Sequence, residues 1–176
     1  MPEQKTIERA RQDRREGKAP STQAGEFVRE EMEHIREGKH GARSTKQAIA
    51  IGLSKARHAG VPLPPPKKGK VSERTRRSAE RASEKGQSHR ETKTNPRRSR
   101  AISRVLKREG HAAASHQALA RQAKRQSRKR SASERSAIAK KAARTRLAHQ
   151  THAERRAIAR KAARTRAASH RNRLDR

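Results

Sequence analysis

Apolar positions recur at helical spacing in only one part of this chain. Ala24, Phe27, Val28, Met32 and Ile35 form a single stripe, with Arg29, Glu30 and Glu33 outside it. Pro20-Ser21-Thr22 precedes the stripe and supplies a helix start, with Ser21 or Thr22 as N-cap; Gly38 supplies the stop. A second start, Ser44-Thr-Lys-Gln47, has the form of a capping box. Ile49, Gly52, Leu53 and Ala56 then share one face, and Gly60 ends the segment. Two amphipathic helices joined by a short turn predict an αα-hairpin over residues 21–60. Fewer than about 40 residues rarely fold alone, which makes the hairpin a candidate surface for homo-dimerisation.

Elsewhere the pattern thins. Residues 1–20 are polar and predict a frayed helical arm. VPLPPPKKGK, residues 61–70, reads as a stiff proline-rich linker, and its Pro62-x-x-Pro65 spacing is read as a spacer. Residues 71–176 hold short, punctuated, helix-prone segments. One starts at Ser72 and ends near Gly86; a second runs from Asn95-Pro96 through Ile102, Val105 and Leu106 to Gly110; a third opens at Ser115. The last third contains a tandem repeat at 131–150 and 151–170. ERSAIAKKAARTRLAH, from Glu134, and ERRAIARKAARTRAAS, from Glu154, agree at twelve of sixteen positions. Ala118-Leu-Ala-Arg-Gln-Ala123 resembles a degenerate third copy.

Each clear copy opens with a capping box, Ser131 to Glu134 and Thr151 to Glu154. Around Ile138 and Ile158 the alanines fall on one arc of the wheel. Lys140, Lys141 and Arg144, or Arg160, Lys161 and Arg164, fall on the other. Alanine favours the helix, whereas like charges one turn apart cost roughly 0.2–0.5 kcal/mol each. The balance predicts marginal helices that gain order on a polyanion.

Composition sharpens this picture. Of 176 residues, 49 are Lys or Arg and 17 are Asp or Glu, a net charge of +32; 28% are hydrophobic, and Phe27 is the only aromatic. Such a chain buries too little surface to offset an ordering cost of roughly 1–2 kcal/mol per residue. The charge is also lopsided. Residues 1–60 carry 13 basic and 9 acidic residues, and residues 61–176 carry 36 and 8. The expected architecture is all-α: a short N-terminal helical hairpin plus a largely disordered basic tail.

A polycation of this density calls for a polyanion, DNA first and RNA second. The candidate nucleic-acid-binding residues are Lys140, Lys141, Arg144, Arg146, Arg160, Lys161, Arg164 and Arg166 in the repeats, with Lys39, Arg43 and Lys46 around the hairpin turn. His40, Arg43 and Lys46 precede or open a helix, where a phosphate is well received. Gly38-Lys-His-Gly41 has the GxxG form of a backbone-clamping loop, but no segment alternates as strands would, and a glycine C-cap and turn is preferred. The acids Glu30, Glu31, Glu33 and Glu37 read as a solvated face able to hold the basic tail and compete with DNA.

Catalytic constellations, phosphate-binding glycine loops and cysteines are lacking, so no enzyme and no cofactor are expected. The pairs His111/His116 and His149/His152 lack a third ligand type, and no metal is expected there. The N-terminal residues hold no hydrophobic run and no bulky apolar face accompanies the repeats, so the expectation is a cytoplasmic, nucleoid-located protein without a membrane partner.

Gly38-Lys-His-Gly-Ala-Arg-Ser-Thr-Lys-Gln-Ala-Ile-Ala-Ile-Gly-Leu-Ser-Lys-Ala-Arg57 with its proline-rich sequel resembles a family of small, basic bacterial proteins of unknown function sharing a K-Q-A-I-A-I-x-L-S-x-A core. The likeness spans roughly residues 24–70 and implies no activity. The tail resembles the basic tails of histone-H1-like nucleoid proteins, with more arginine. Sequence-nonspecific DNA binding is the expected function. The alternatives are an RNA- or ribosome-associated protein and a stress-related disordered polyampholyte.

Overall fold

The computed structural model describes residues 2–88 and 95–174, without the side chains of 149 and 168–174. Among the described residues there are eight α-helices and no strand. They are α1 (Gln4–Arg15), α2 (Pro20–Arg36), α3 (Thr45–His58), α4 (Glu73–Gln87), α5 (Pro96–Arg108), α6 (His116–Arg128), α7 (Ala132–His149) and α8 (His152–Leu174), with a 3-10 turn at Ala112–Ala114. The all-α expectation holds. The short hairpin with a disordered tail does not: residues Met1–Lys124 form one compact unit, a helical bundle, and Arg125–Arg176 a second, helical unit.

The hairpin is present as α2 and α3, but it does not stand alone. Helix α2 starts at Pro20 itself, with Ala19 in the N-cap position rather than Ser21 or Thr22. Proline's fixed φ suits the first helical residue, where no amide is needed. Ser44 caps α3 by accepting the Gln47 N–H at 3.2 Å, and the Gln47 carbonyl oxygen reaches back to the Arg43 N–H at 2.9 Å. The two helices meet at Gly52, where an added Cβ would lie 2.7 Å from Val28 Cα. Their backbones therefore approach as closely as glycine alone allows.

Two small clusters sit along this seam. One joins Ala24, Phe27, Ala56 and Val61 to Ala10 of α1, with Ile7, Leu53 and Leu63 packed against it. The other joins Met32, Ile35, Ala42 and Ala48 to Ala113 and Ala114, with Leu119 of α6 at its edge. The polar arm is thus a docked helix. The proline stretch is a strap: Arg57 donates to the Pro64 carbonyl at 3.3 Å, and Ser83 Oγ donates to that of Leu63 at 3.1 Å.

Segments far along the chain close the bundle. Gly41 N–H donates to Leu106 O at 2.8 Å and Ala42 N–H to Gly110 O at 3.1 Å. A Cβ on Gly41 would lie 1.9 Å from the Glu109 carbonyl oxygen, so this glycine serves close backbone approach. Thr45 Oγ1 donates to Ala113 O at 2.7 Å and Arg36 Nε to Ala114 O at 2.9 Å. Side-chain donors thereby satisfy carbonyls that crossing chain would otherwise leave buried.

Helices α7 and α8 bury nothing comparable; Ile138, Leu147 and Ile158 are each about half exposed. Local forces hold them. Ser131 and Glu134 exchange capping hydrogen bonds at 3.1 and 2.9 Å, and Thr151 and Glu154 do so at 3.3 and 2.8 Å. At 18 and 23 residues the helices exceed the roughly 12–15 below which isolated helices are marginal. Length and caps outweigh the like-charge cost that predicted disorder.

Two outcomes follow. Gly52→Ala should lower the urea-unfolding free energy by about 1–3 kcal/mol, because α2 must move away from α3; an unchanged midpoint would contradict the close seam. The Thr151 backbone N–H, then its hydroxyl, hold the Glu154 carboxyl below the usual carboxylate range. A lowered folded pKa stabilises α8 above the ordinary carboxylate titration, and that stability is lost as pH falls through the lowered value. Acid titration should therefore fray the first turn of α8, read as shifts of the Thr151 and Glu154 amide resonances.

Candidate nucleic-acid interface

Helix α4 carries a basic face in the compact unit. Ser72 caps it, accepting the Thr75 N–H at 3.3 Å. Ala82, Ser83 and Gly86 are its buried positions. Gly86 permits contact with α3: a Cβ there would lie 1.8 Å from Arg57 O. Docking by this face turns Arg74, Arg77, Arg81 and Lys85 outward, and all four are exposed. Their spacing of three, four and four residues places them within about 80° of arc. With His58 of α3 and Arg98 of α5 they line a groove of about 700 Å³. Glu73, which also lines it, is engaged by Arg76 at 2.7 Å and Arg77 at 3.5 Å. Those arginines hold its carboxyl below the usual range, the Arg76 hydrogen bond first. Arg74, Arg81, Lys85 and Arg98 have no ion-pair partner among the described residues.

Helices α5 and α6 repeat the pattern. Asn95 caps α5 by accepting the Arg97 and Arg98 N–H groups at 3.0 and 3.4 Å. Arg97, Arg100, Arg104, Lys107 and Arg108 then share one side, opposite Ile102, Val105 and Leu106. On α6, whose N-cap Ser115 accepts the Ala118 N–H at 3.2 Å, Arg121, Lys124, Arg125 and Arg128 oppose Leu119.

In the second unit Lys140, Lys141, Arg144, Arg146, Arg160, Lys161, Arg164 and Arg166 are all exposed. None has an ion-pair partner among the described residues, since Glu134 and Glu154 are spent on caps. The two-faced wheel holds only mid-helix. Arg146 and Arg166 lie eight residues after Ile138 and Ile158, about 80° away, and so fall on the alanine arc. Cations therefore surround these helices.

The turn residues divide. Arg43 and Lys46 are exposed at the start of α3. Lys39 is paired with Glu37 at 3.0 Å and Glu3 at 3.2 Å, and those carboxylates raise its pKa, the Glu37 hydrogen bond first. His40 points inward, 3.4 Å from Glu31. Gly38, at φ 76°, ends α2 as a glycine C-cap turn. The acidic face is overturned in part: Glu30 and Glu31 are 3% and 0% exposed, and Lys55 Nζ lies 3.5 and 2.7 Å from them. Burial beside Lys55 leaves only Glu33 and Glu37 facing solvent.

The α4 stripe escaped sequence reading because Glu73, Glu80 and Glu84 are interleaved with it. Its spacing of three and four was the available signal. His111 and His116 bracket the 3-10 turn, while the His149 side chain lies outside the described residues. No helix among the described residues is long and apolar enough to cross a membrane.

Residues 21–68 match a protein family of unknown function, DUF6496. That span covers α2, α3 and most of the proline strap, the region of the K-Q-A-I-A-I-x-L-S-x-A likeness, and brings no activity with it. No curated protein and no solved structure matches the chain.

Like charges one turn apart, as in Arg77/Arg81 and Arg81/Lys85, oppose α4 by roughly 0.2–0.5 kcal/mol per pair. Arg81→Gln should raise the melting temperature at low salt, and the gain should vanish at high salt. A loss of stability at low salt would show that Arg81 has a structural partner.

Proposed function

We propose that this chain is a non-enzymatic, sequence-nonspecific nucleic-acid-binding protein with duplex DNA as its preferred partner. The observation that carries the reading is the set of exposed cations, most of them without an ion-pair partner among the described residues, repeated at helical pitch on α4, α5 and α6 and around α7 and α8. Successive cations on one face stand about 5.4 Å apart along the axis, so one helix can follow several phosphates. Lys and Arg held on helices lose less conformational freedom on binding than those of a disordered tail. The chain's one aromatic, Phe27, is 1% exposed, which leaves no stacking platform for single-stranded bases. Phosphate contact then dominates, and base sequence goes unread.

Fluorescence anisotropy with labelled duplex DNA across a salt series tests this. With about ten phosphates engaged, log K should fall against log salt with a slope near −9. Replacing Arg74, Arg81, Lys85 and Arg98 with Gln should flatten the slope by about 0.9 for each phosphate no longer neutralised. Absence of binding in dilute buffer would refute the proposal. Displacement of duplex by structured RNA at equal nucleotide concentration would transfer the reading to RNA.

A further inference from the structure

Two buried carboxylates of α2 share one neighbouring ammonium. Glu30 and Glu31 are buried, and among the described residues Lys55 is the only ammonium within ion-pair distance of them. Glu31 is fully buried, and neither carboxylate oxygen has a hydrogen bond of acceptable geometry, although Lys55 Nζ stands 2.7 Å from Oε2. Oε1 faces His40 Nε2 at 3.4 Å. One turn after Glu31, His34 completes a group whose ligating atoms all lie within 4.8 Å of one another.

The proton positions on both imidazoles follow from their outer partners. His40 Nδ1 lies 3.1 Å from Gly41 O, which only accepts, so Nδ1 carries the hydrogen. Nε2 then meets the carboxylate oxygen either as the second donor of an imidazolium or, in neutral His40, as a lone pair that a bound cation would bridge to the carboxylate. His34 Nε2 lies 2.8 Å from Glu3 Oε1, so it donates there and the ring's lone pair is on Nδ1. Histidine held by a carbonyl or carboxylate through its second nitrogen is the usual outer support of a metal ligand. Lys55 supports the second oxygen of Glu31 in the same way.

We propose that Glu31, His34 and His40 form a binding site for one borderline divalent transition-metal ion of the zinc class. Two imidazoles and one carboxylate disfavour magnesium and calcium, which take oxygen ligands. Zinc at about 2.0–2.1 Å from tetrahedral ligands sets neighbouring ligand atoms about 3.3 Å apart, close to the 3.4 Å seen between His40 and Glu31. The ion would balance the second buried carboxylate. It would also tie α2 to the His40–Gly41 turn, whose next amides are bonded to Leu106 and Gly110. Its role is structural: it fastens the turn that closes the bundle.

The test uses the full chain near neutral pH, stripped of metal. Cobalt chloride titration should give visible d–d bands saturating at one equivalent, and zinc chloride should displace them and raise the melting temperature. His40→Ala and His34→Ala should each weaken cobalt binding by about tenfold or more. His58→Ala and His152→Ala should leave it unchanged. Circular dichroism of each metal-free variant establishes that it is folded, and Glu31→Gln, which keeps the side chain's shape, supplies a second variant in which the bands should be lost. No saturable one-equivalent binding by the wild-type chain, or binding that survives the combined loss of His34 and His40, would overturn the site.

Discussion

Scarcity of bulky apolar side chains governs this structure. With one aromatic residue and a hydrophobic fraction of 28%, the chain cannot fill a wide core. It brings backbones together instead. Gly41, Gly52 and Gly86 each lie against another segment's backbone at distances that would clash with a Cβ. Ala24, Ala48, Ala56 and Ala114 are completely buried between them. Small residues yield little hydrophobic free energy apiece, roughly 25 cal/mol per Å² of apolar area. Close packing recovers dispersion attraction that a looser arrangement would forfeit. Side chain-to-backbone bonds from Thr45, Arg36 and Ser83 hold the crossing segments in place.

That constraint also disposes of the charge. A narrow core has room for few ionic groups: Glu30 and Glu31 beside Lys55, Asp13 beside Lys18, and Arg57 under the proline strap. Most other cations stay outside. On α4, docking through Ala82 and Gly86 fixes which side faces solvent. On α7 and α8 the described side chains are nearly all exposed, and the cations distribute around each helix. The two units thus present their charge differently. The compact one offers a directed stripe and a groove, the second two helices that carry cations all round.

Most helix starts were readable, since Ser44, Ser72, Asn95, Ser115, Ser131 and Thr151 all cap helices, whereas α2 begins at Pro20 behind Ala19 and not at Ser21 or Thr22. Caps are local chemistry, and local chemistry survives in sequence. The extent of the bundle was not readable. Ile7 and Ala10 are too few to form a visible stripe, yet they dock α1. Val61 and Leu63 sit among prolines that suggest a spacer, yet they pack. Ala113 and Ala114 look featureless, yet they seal the far end. Counting bulky residues undercounts a core made of small ones. The exposed repeat cations were legible because nothing buries them. The inward turn of His40 and the burial of Glu30 and Glu31 depend on tertiary packing, which periodicity does not record.

Native-state amide hydrogen exchange of the full chain in dilute buffer, without any polyanion, tests the bundle most directly. The amides of Gly41 and Ala42, bonded to Leu106 and Gly110, should exchange as slowly as those in the middle of α2 and α3. Exchange of Gly41 and Ala42 at the rate of free chain, with α2 and α3 protected, would mean that the hairpin stands apart and that the closing segments are not part of its core.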